Sequence, residues 1–138
     1  MKYLFACLAL LIASPLAAHP AGEQPVTFEA RSGESVDAFR GLVAVPENRA
    51  DPASRAIELS YVRFPATTDT PGAPIVYLAG GPGGSGIETA KGDRFALFMA
   101  MRQHGDVIAF DQRGTGASTA LPRCRSSIVP SQVEPLSD

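Results

Sequence analysis

Two glycine-dense blocks hold the residue types best suited to chemistry: Gly80-Gly81-Pro82-Gly83-Gly84-Ser85-Gly86, and Asp111-Gln112-Arg113-Gly114-Thr115-Gly116-Ala117-Ser118. Glycine has no Cβ, so a loop built from it brings backbone N–H groups close to whatever sits above the loop. Two chemistries use such donors. One cradles a pyrophosphate at a helix N-terminus: Gly81, Gly83 and Gly86 satisfy G-x-G-x-x-G, and Asp111 supplies an acid after the next strand. The other is an oxyanion loop, whose N–H groups meet the negative charge developing on an attacked carbonyl. Pro82 cannot donate and restricts Gly81 before it, so in either case the donors are glycines. A proline inside the loop, and an acid 25 residues after Gly86 where the dinucleotide pattern has roughly 20, favour the oxyanion loop.

An acyl-transfer site also needs a nucleophile, an acid and a histidine. The strained G-x-S-x-G elbow that presents such a serine is absent. Ser85 has Ile87 two residues after it, and Ser118 has Ala120. His19 and His104 are the two histidines, and His104 stands beside Gly105, where a cation complements a helix C-terminus. The residues that remain for catalysis are Gly81 and Gly80; the nucleophile, acid and histidine are expected outside this chain.

The elements that must position the blocks follow from hydrophobic period. Residues 41–45 and 57–64 are rich in strand formers and flank a turn-rich stretch, which predicts an antiparallel hairpin. Residues 75–79 are apolar at every position, which predicts a strand buried on both faces. After the first glycine block, Ser85 and Glu88 have capping-box spacing and announce a helix. Its apolar face is Phe95, Leu97, Phe98, Met99 and Met101, with a break at Gly92-Asp93 and a stop at Gly105. Residues 107–110 form a second apolar strand, closed by the turn at 111–116.

The order is an antiparallel hairpin followed by a parallel βαβ unit, hence an α/β fold. It is incomplete, because a parallel sheet needs helices on both faces and further strands at its edges. In the second block the glycines give a tight exit from the strand, Ser118 is placed to cap a following helix, and Arg113 to pair with a carboxylate such as Asp111. Asp111, Arg113, Gly114, Gly116 and Ser118 are therefore read as structural.

The ends of the chain read differently. Lys2, the apolar run at 4–13, Pro15 and Ala17-Ala18 make residues 1–18 a secretory signal. A run of about ten residues is too short for a membrane span of roughly 20, so a secreted or periplasmic protein without a stable span is expected. Residues 19–39, polar and irregular, are expected to be a mobile leader, and residues 40–138 a partial domain truncated before the nucleophile elbow. Cys124 is the one cysteine left after signal removal. Twelve basic and 14 acidic side chains give a net charge of −2 with no Lys/Arg cluster, which excludes a nucleic-acid partner. No cofactor or metal is called for.

The two blocks together, Leu78-Ala79-Gly80-Gly81-Pro82-Gly83-Gly84-Ser85-Gly86 and residues 111–118, resemble the paired signatures of prolyl and tripeptidyl aminopeptidases, which are α/β-hydrolases. The resemblance covers roughly residues 40–124. It implies that the hairpin is sheet strands one and two, and that the blocks follow strands three and four. It implies too that Gly81 donates one oxyanion hydrogen bond while Gly80 shapes the turn, the second donor lying after the nucleophile. Ala79 stands where many members have histidine. On this resemblance the chain is the N-terminal fragment of a secreted serine hydrolase, an aminopeptidase acting through an acyl-enzyme on a peptide or small acyl substrate. The fragment alone is expected to be inactive. An esterase or lipase of the same fold, and a vestigial non-catalytic binding protein, are the alternatives.

Overall fold

The computed structural model describes residues 22–81 and 83–121. The expected signal, His19 and Cys124 lie outside them. Five strands, β1 (Gln24–Glu29), β2 (Ser35–Pro46), β3 (Ala56–Phe64), β4 (Ile75–Leu78) and β5 (Val107–Phe110), make one sheet in the order β1-β2-β3-β5-β4. Helices α1 (Gly86–Lys91) and α2 (Phe95–Met101) connect β4 to β5, its parallel neighbour; all other pairings are antiparallel. The expected hairpin is β2–β3, and the expected βαβ unit is β4–α1–α2–β5.

The mobile leader of 19–39 is corrected over residues 24–39, which form β1, a turn and the start of β2. Val26 and Phe28 alternate along β1 opposite Ala38 and Val36 of β2, the period-two pattern that a half-buried strand requires. Phe28 is buried, edge-on to Phe64 with ring centroids 4.9 Å apart and stacked over Phe95 at 6.4 Å. Pro25 and the turn at Ser32–Gly33 hide this pattern in the sequence. Pro25 is tolerated because β1 is an edge strand, and Gly33 supplies the positive φ of the turn. The resemblance's strands one and two are thus preceded by a further strand.

The core lies on one face. Ala38, Val62, Phe64, Val107 and Ala109 face the helices, which lay Ile87, Ala90, Phe95 and Phe98 over them. The helical stretch breaks at Gly92 as expected, but its apolar face is narrower: Leu97 is 45% exposed while Phe95 and Phe98 are buried. Gly105 does not terminate α2, which ends at Met101. It allows a close pass instead, since a Cβ there would sit 2.7 Å from the Ala73 carbonyl oxygen.

Burial of β4 on both faces is also corrected. Tyr77 packs on Phe98, but Val76 and Leu78, on the opposite face, are 53% and 59% exposed. Both helices pack on one face, so the other side of β4 and β5 carries an apolar concavity of about 970 Å³ lined by Phe39, Val43, Val76, Leu78, Ile108 and Phe110. At one end of it Arg63 pairs with Glu23 at 2.6 Å and Asp106 at 2.9 Å and lies over the Phe39 ring at 4.6 Å. The Tyr61 hydroxyl donates to Glu23 at 3.1 Å. Burial first, and that hydrogen bond second, raise the Tyr61 pKa above its ordinary value.

Candidate functional site

Because β4 and β5 are parallel and Leu78 pairs with Phe110, both glycine blocks leave the sheet at one end, side by side. That is the carboxyl end of the strands, where open α/β sheets place their ligands. His104 precedes the start of β5 and is therefore at the opposite end, away from the glycine loops.

In the first block the Gly84 N–H donates to the Gly81 carbonyl at 3.2 Å, and Gly83 has φ +84°. This is the pattern of a type II turn, in which proline is favoured at the second position and glycine is required at the third. Gly81 has φ +77°, which again selects glycine. Gly80, Gly81 and Gly83 are exposed. Among the described residues, the N–H groups of Gly80 and Gly81 meet no acceptor. A Cβ at either would touch nothing within 4 Å. Gly86 has the opposite surroundings: a Cβ there would run into the Phe110 backbone, so glycine lets α1 begin directly against β5.

Ser85 caps α1, accepting from the Glu88 N–H at 3.0 Å. The reciprocal half of the capping box is not made, because the Glu88 carboxylate turns outward to Arg31 at 2.7 Å and Lys91 at 3.2 Å. The same Ser85 hydroxyl donates to Asp111 Oδ1 at 2.6 Å. Asp111 Oδ1 also accepts from the Ile87 N–H at 3.1 Å, and Oδ2 accepts from the Ala117 N–H at 2.8 Å. With Asp111 only 1% exposed, three donors, one from each block and one from α1, converge on one buried carboxylate.

The second block departs from two expectations. Arg113 does not pair with Asp111; its guanidinium donates to the carbonyls of Pro46, at 3.1 Å, and Glu47. Those oxygens lie at the end of β2, where the strand's carbonyls need donors, while both oxygens of Asp111 already accept from nearer groups. Ser118 caps no helix among the described residues. It is buried, donates to the Asp111 carbonyl at 2.7 Å and accepts from the Ser60 N–H at 2.8 Å, joining the block to β3. Gly114 has φ +71° and Gly116 φ +49°, and a Cβ on Gly116 would collide with Asp111 Oδ2. These two glycines exist for the fold of the turn.

The arrangement weighs against the pyrophosphate cradle. The acid that would take a ribose hydroxyl is Asp111, whose two oxygens are occupied by protein donors, and α1 is a helix of six residues. Among the described residues, no group of three or more His, Cys, Asp or Glu is placed to hold a metal, and no helix is long and apolar enough to cross a membrane. Sequence reasoning missed the pairing of Ser85 with Asp111 and the participation of Ser60. The available signal was an acid at the end of a buried strand, which must find donors nearby.

No family model matches the chain. It is similar to serine protease Hip1 of Mycobacterium tuberculosis, 38% identical over 89 residues that make up 64% of this chain and 17% of that protein. The protein of the same name from Mycobacterium bovis matches equally. Carboxylesterase B of Mycobacterium tuberculosis is 34% identical over 100 residues, 72% of this chain and 19% of that protein. The chain thus spans less than a fifth of the length of the curated relatives it matches. These relatives are hydrolases by name, and the five-stranded mixed sheet with its two helices is a partial α/β fold that fits them.

Proposed function

We propose that the chain is the N-terminal part of an exported serine hydrolase, in which the Gly80-Gly81 segment supplies one side of the oxyanion hole. One observation carries the reading: at the carboxyl end of β4 the exposed residues Gly80 and Gly81 have N–H groups without acceptors among the described residues, and nothing lies within 4 Å of where their Cβ atoms would sit. Donors held ready in this way stabilise a tetrahedral alkoxide. The nucleophile, its acid and its histidine are supplied by residues outside these 138. The similarity to much longer hydrolases and the exposed apolar face of β4 both support further segments packing here.

The substrate we favour is a peptide, cleaved from its N-terminus in the manner of prolyl or tripeptidyl aminopeptidases. The paired blocks at 78–86 and 111–118, together with the match to a serine protease, support this. Cleavage proceeds by serine attack, an acyl-enzyme and its hydrolysis, with the oxyanion loop serving both tetrahedral stages. A carboxylic-ester substrate is the second reading, favoured by the similarity to a carboxylesterase. An oxyanion loop serves either, since both reactions pass through the same kind of alkoxide.

The test is to express the whole protein, with everything its reading frame encodes after Asp138, and measure turnover of proline and alanine aminoacyl amides, tripeptidyl amides and short-chain esters. Preferred turnover of the amides, blocked by a fluorophosphonate, is the expected result. Preferred turnover of esters selects the second reading, and a protein that the fluorophosphonate does not label refutes both. Residues 19–138 alone are expected to turn over none of these substrates.

A further inference from the structure

The first block is dense in glycine, and within it only Pro82 and the bond from the Gly84 N–H to the Gly81 carbonyl restrain the backbone. Donors for a developing charge must nevertheless be fixed before it forms. Further rigidity can come from outside the loop, and the hydrogen bonds at Asp111 show a source. Asp111 Oδ1 accepts from Ser85 Oγ at 2.6 Å and from the Ile87 N–H at 3.1 Å. Ser85 directly follows Gly84, whose N–H closes the turn onto Gly81, so the loop's far end is fastened where Ser85 is fastened. Asp111 is anchored in turn: its N–H donates to the Ser60 carbonyl at 2.9 Å, its carbonyl accepts from Ser118 Oγ, and Ser118 Oγ accepts from the Ser60 N–H. A continuous path of hydrogen bonds therefore runs from the middle of β3 through Asp111 and Ser85 to the loop.

We propose that Ser85 and Asp111 are a positioning pair for the Gly80-Gly81 amides, with Asp111 acting through Ser85 and never on substrate. At 1% exposure Asp111 is out of reach of any bound molecule. The pair rests on the oxyanion assignment made above and adds to it the residues that hold the loop still. Chemistry makes the match specific. The Ser85 hydroxyl has one proton to give, to Asp111, and lone pairs to receive the Glu88 N–H. A carboxylate offers only acceptors, as three converging donors require. An amide at 111 would turn an NH₂ group toward at least one of those donors.

The experiment compares Ser85→Ala, Ser85→Thr, Asp111→Asn and the Ser85→Ala/Asp111→Asn double variant in the whole protein. Arg31→Ala, which removes only the exposed pair with Glu88, is the control. The readouts are kcat, KM, melting temperature and the inhibition constant of a boronic acid, whose tetrahedral adduct places an oxygen where the alkoxide forms. Ser85→Ala is expected to lower kcat by about tenfold to a hundredfold, the scale of a misplaced catalytic group. KM should stay within about twofold, and the boronate should weaken by the same factor as kcat. Ser85→Thr keeps the hydroxyl and should retain most of the activity, and the double variant should be no worse than Asp111→Asn. Ser85→Ala with a lower melting temperature but unchanged kcat and boronate affinity overturns the pair, whatever Asp111→Asn does to folding. An unmutated protein that neither turns over substrate nor takes up a fluorophosphonate overturns the oxyanion assignment itself, and the pair with it.

Discussion

Leu78 and Phe110 are register partners at the carboxyl ends of two parallel strands. From that pairing comes the adjacency of the two glycine blocks, 26 residues apart at Ser85 and Asp111 yet joined by a hydrogen bond of 2.6 Å.

Gly81→Val in the whole protein should lower turnover by about a hundredfold to a thousandfold, the usual effect of losing an oxyanion donor. The φ of +77° is one that a β-branched residue does not adopt, so the amide must turn away. Steady-state kinetics on a folded variant checks this; an unchanged rate removes Gly81 from the role.

Gly116→Ala should destabilise the fold by about 2 to 3 kcal/mol, since it combines an unfavourable backbone conformation with a displaced buried carboxylate. The added methyl would collide with Asp111 Oδ2 and come within 2.8 Å of Ser85 Oγ. Urea unfolding measures the loss, and a change under about 0.5 kcal/mol would mean that the turn relaxes freely.

Phe28→Ala should cost about 3 to 5 kcal/mol, as for other large-to-small changes in a packed core. Phe28 is buried against Phe64 and Phe95, so β1 supports the helices that follow the loop. Denaturant unfolding of this variant, beside an exposed control such as Thr27→Ala, separates a structural strand from a dispensable leader.

Tyr61 makes stability fall at alkaline pH. Its folded pKa lies above its ordinary value through burial and the hydrogen bond to Glu23, so its contribution is complete below pH about 10 and is lost as pH rises through the folded value. Unfolding free energies across pH 9 to 11 should decline less steeply in Tyr61→Phe than in the unmutated protein, the pH window being that of a phenol. Identical slopes would show that another group titrates there.

Much of this was readable along the chain. Apolar runs at 75–79 and 107–110, the hairpin period, Ser85 as a helix cap and the break at Gly92 are local signals, and each appears as an element or boundary of the fold. The glycine pattern located the loop for the same reason: positive φ at Gly81, Gly83, Gly114 and Gly116 is a property of single residues and their neighbours.

What only the tertiary structure decided are relations between distant residues. Local period was too weak to reveal β1, whose burial depends on Phe64 and Phe95 closing over Phe28. Arg113 had a plausible acid two residues away and took carbonyls at Pro46 and Glu47 instead. Ser118, a cap by its type, became a buried bridge to Ser60. In each case the sheet order, with β5 inserted between β3 and β4, chose the partner. Residue type limits which hydrogen bonds a side chain can make, but packing determines which groups are close enough to make them.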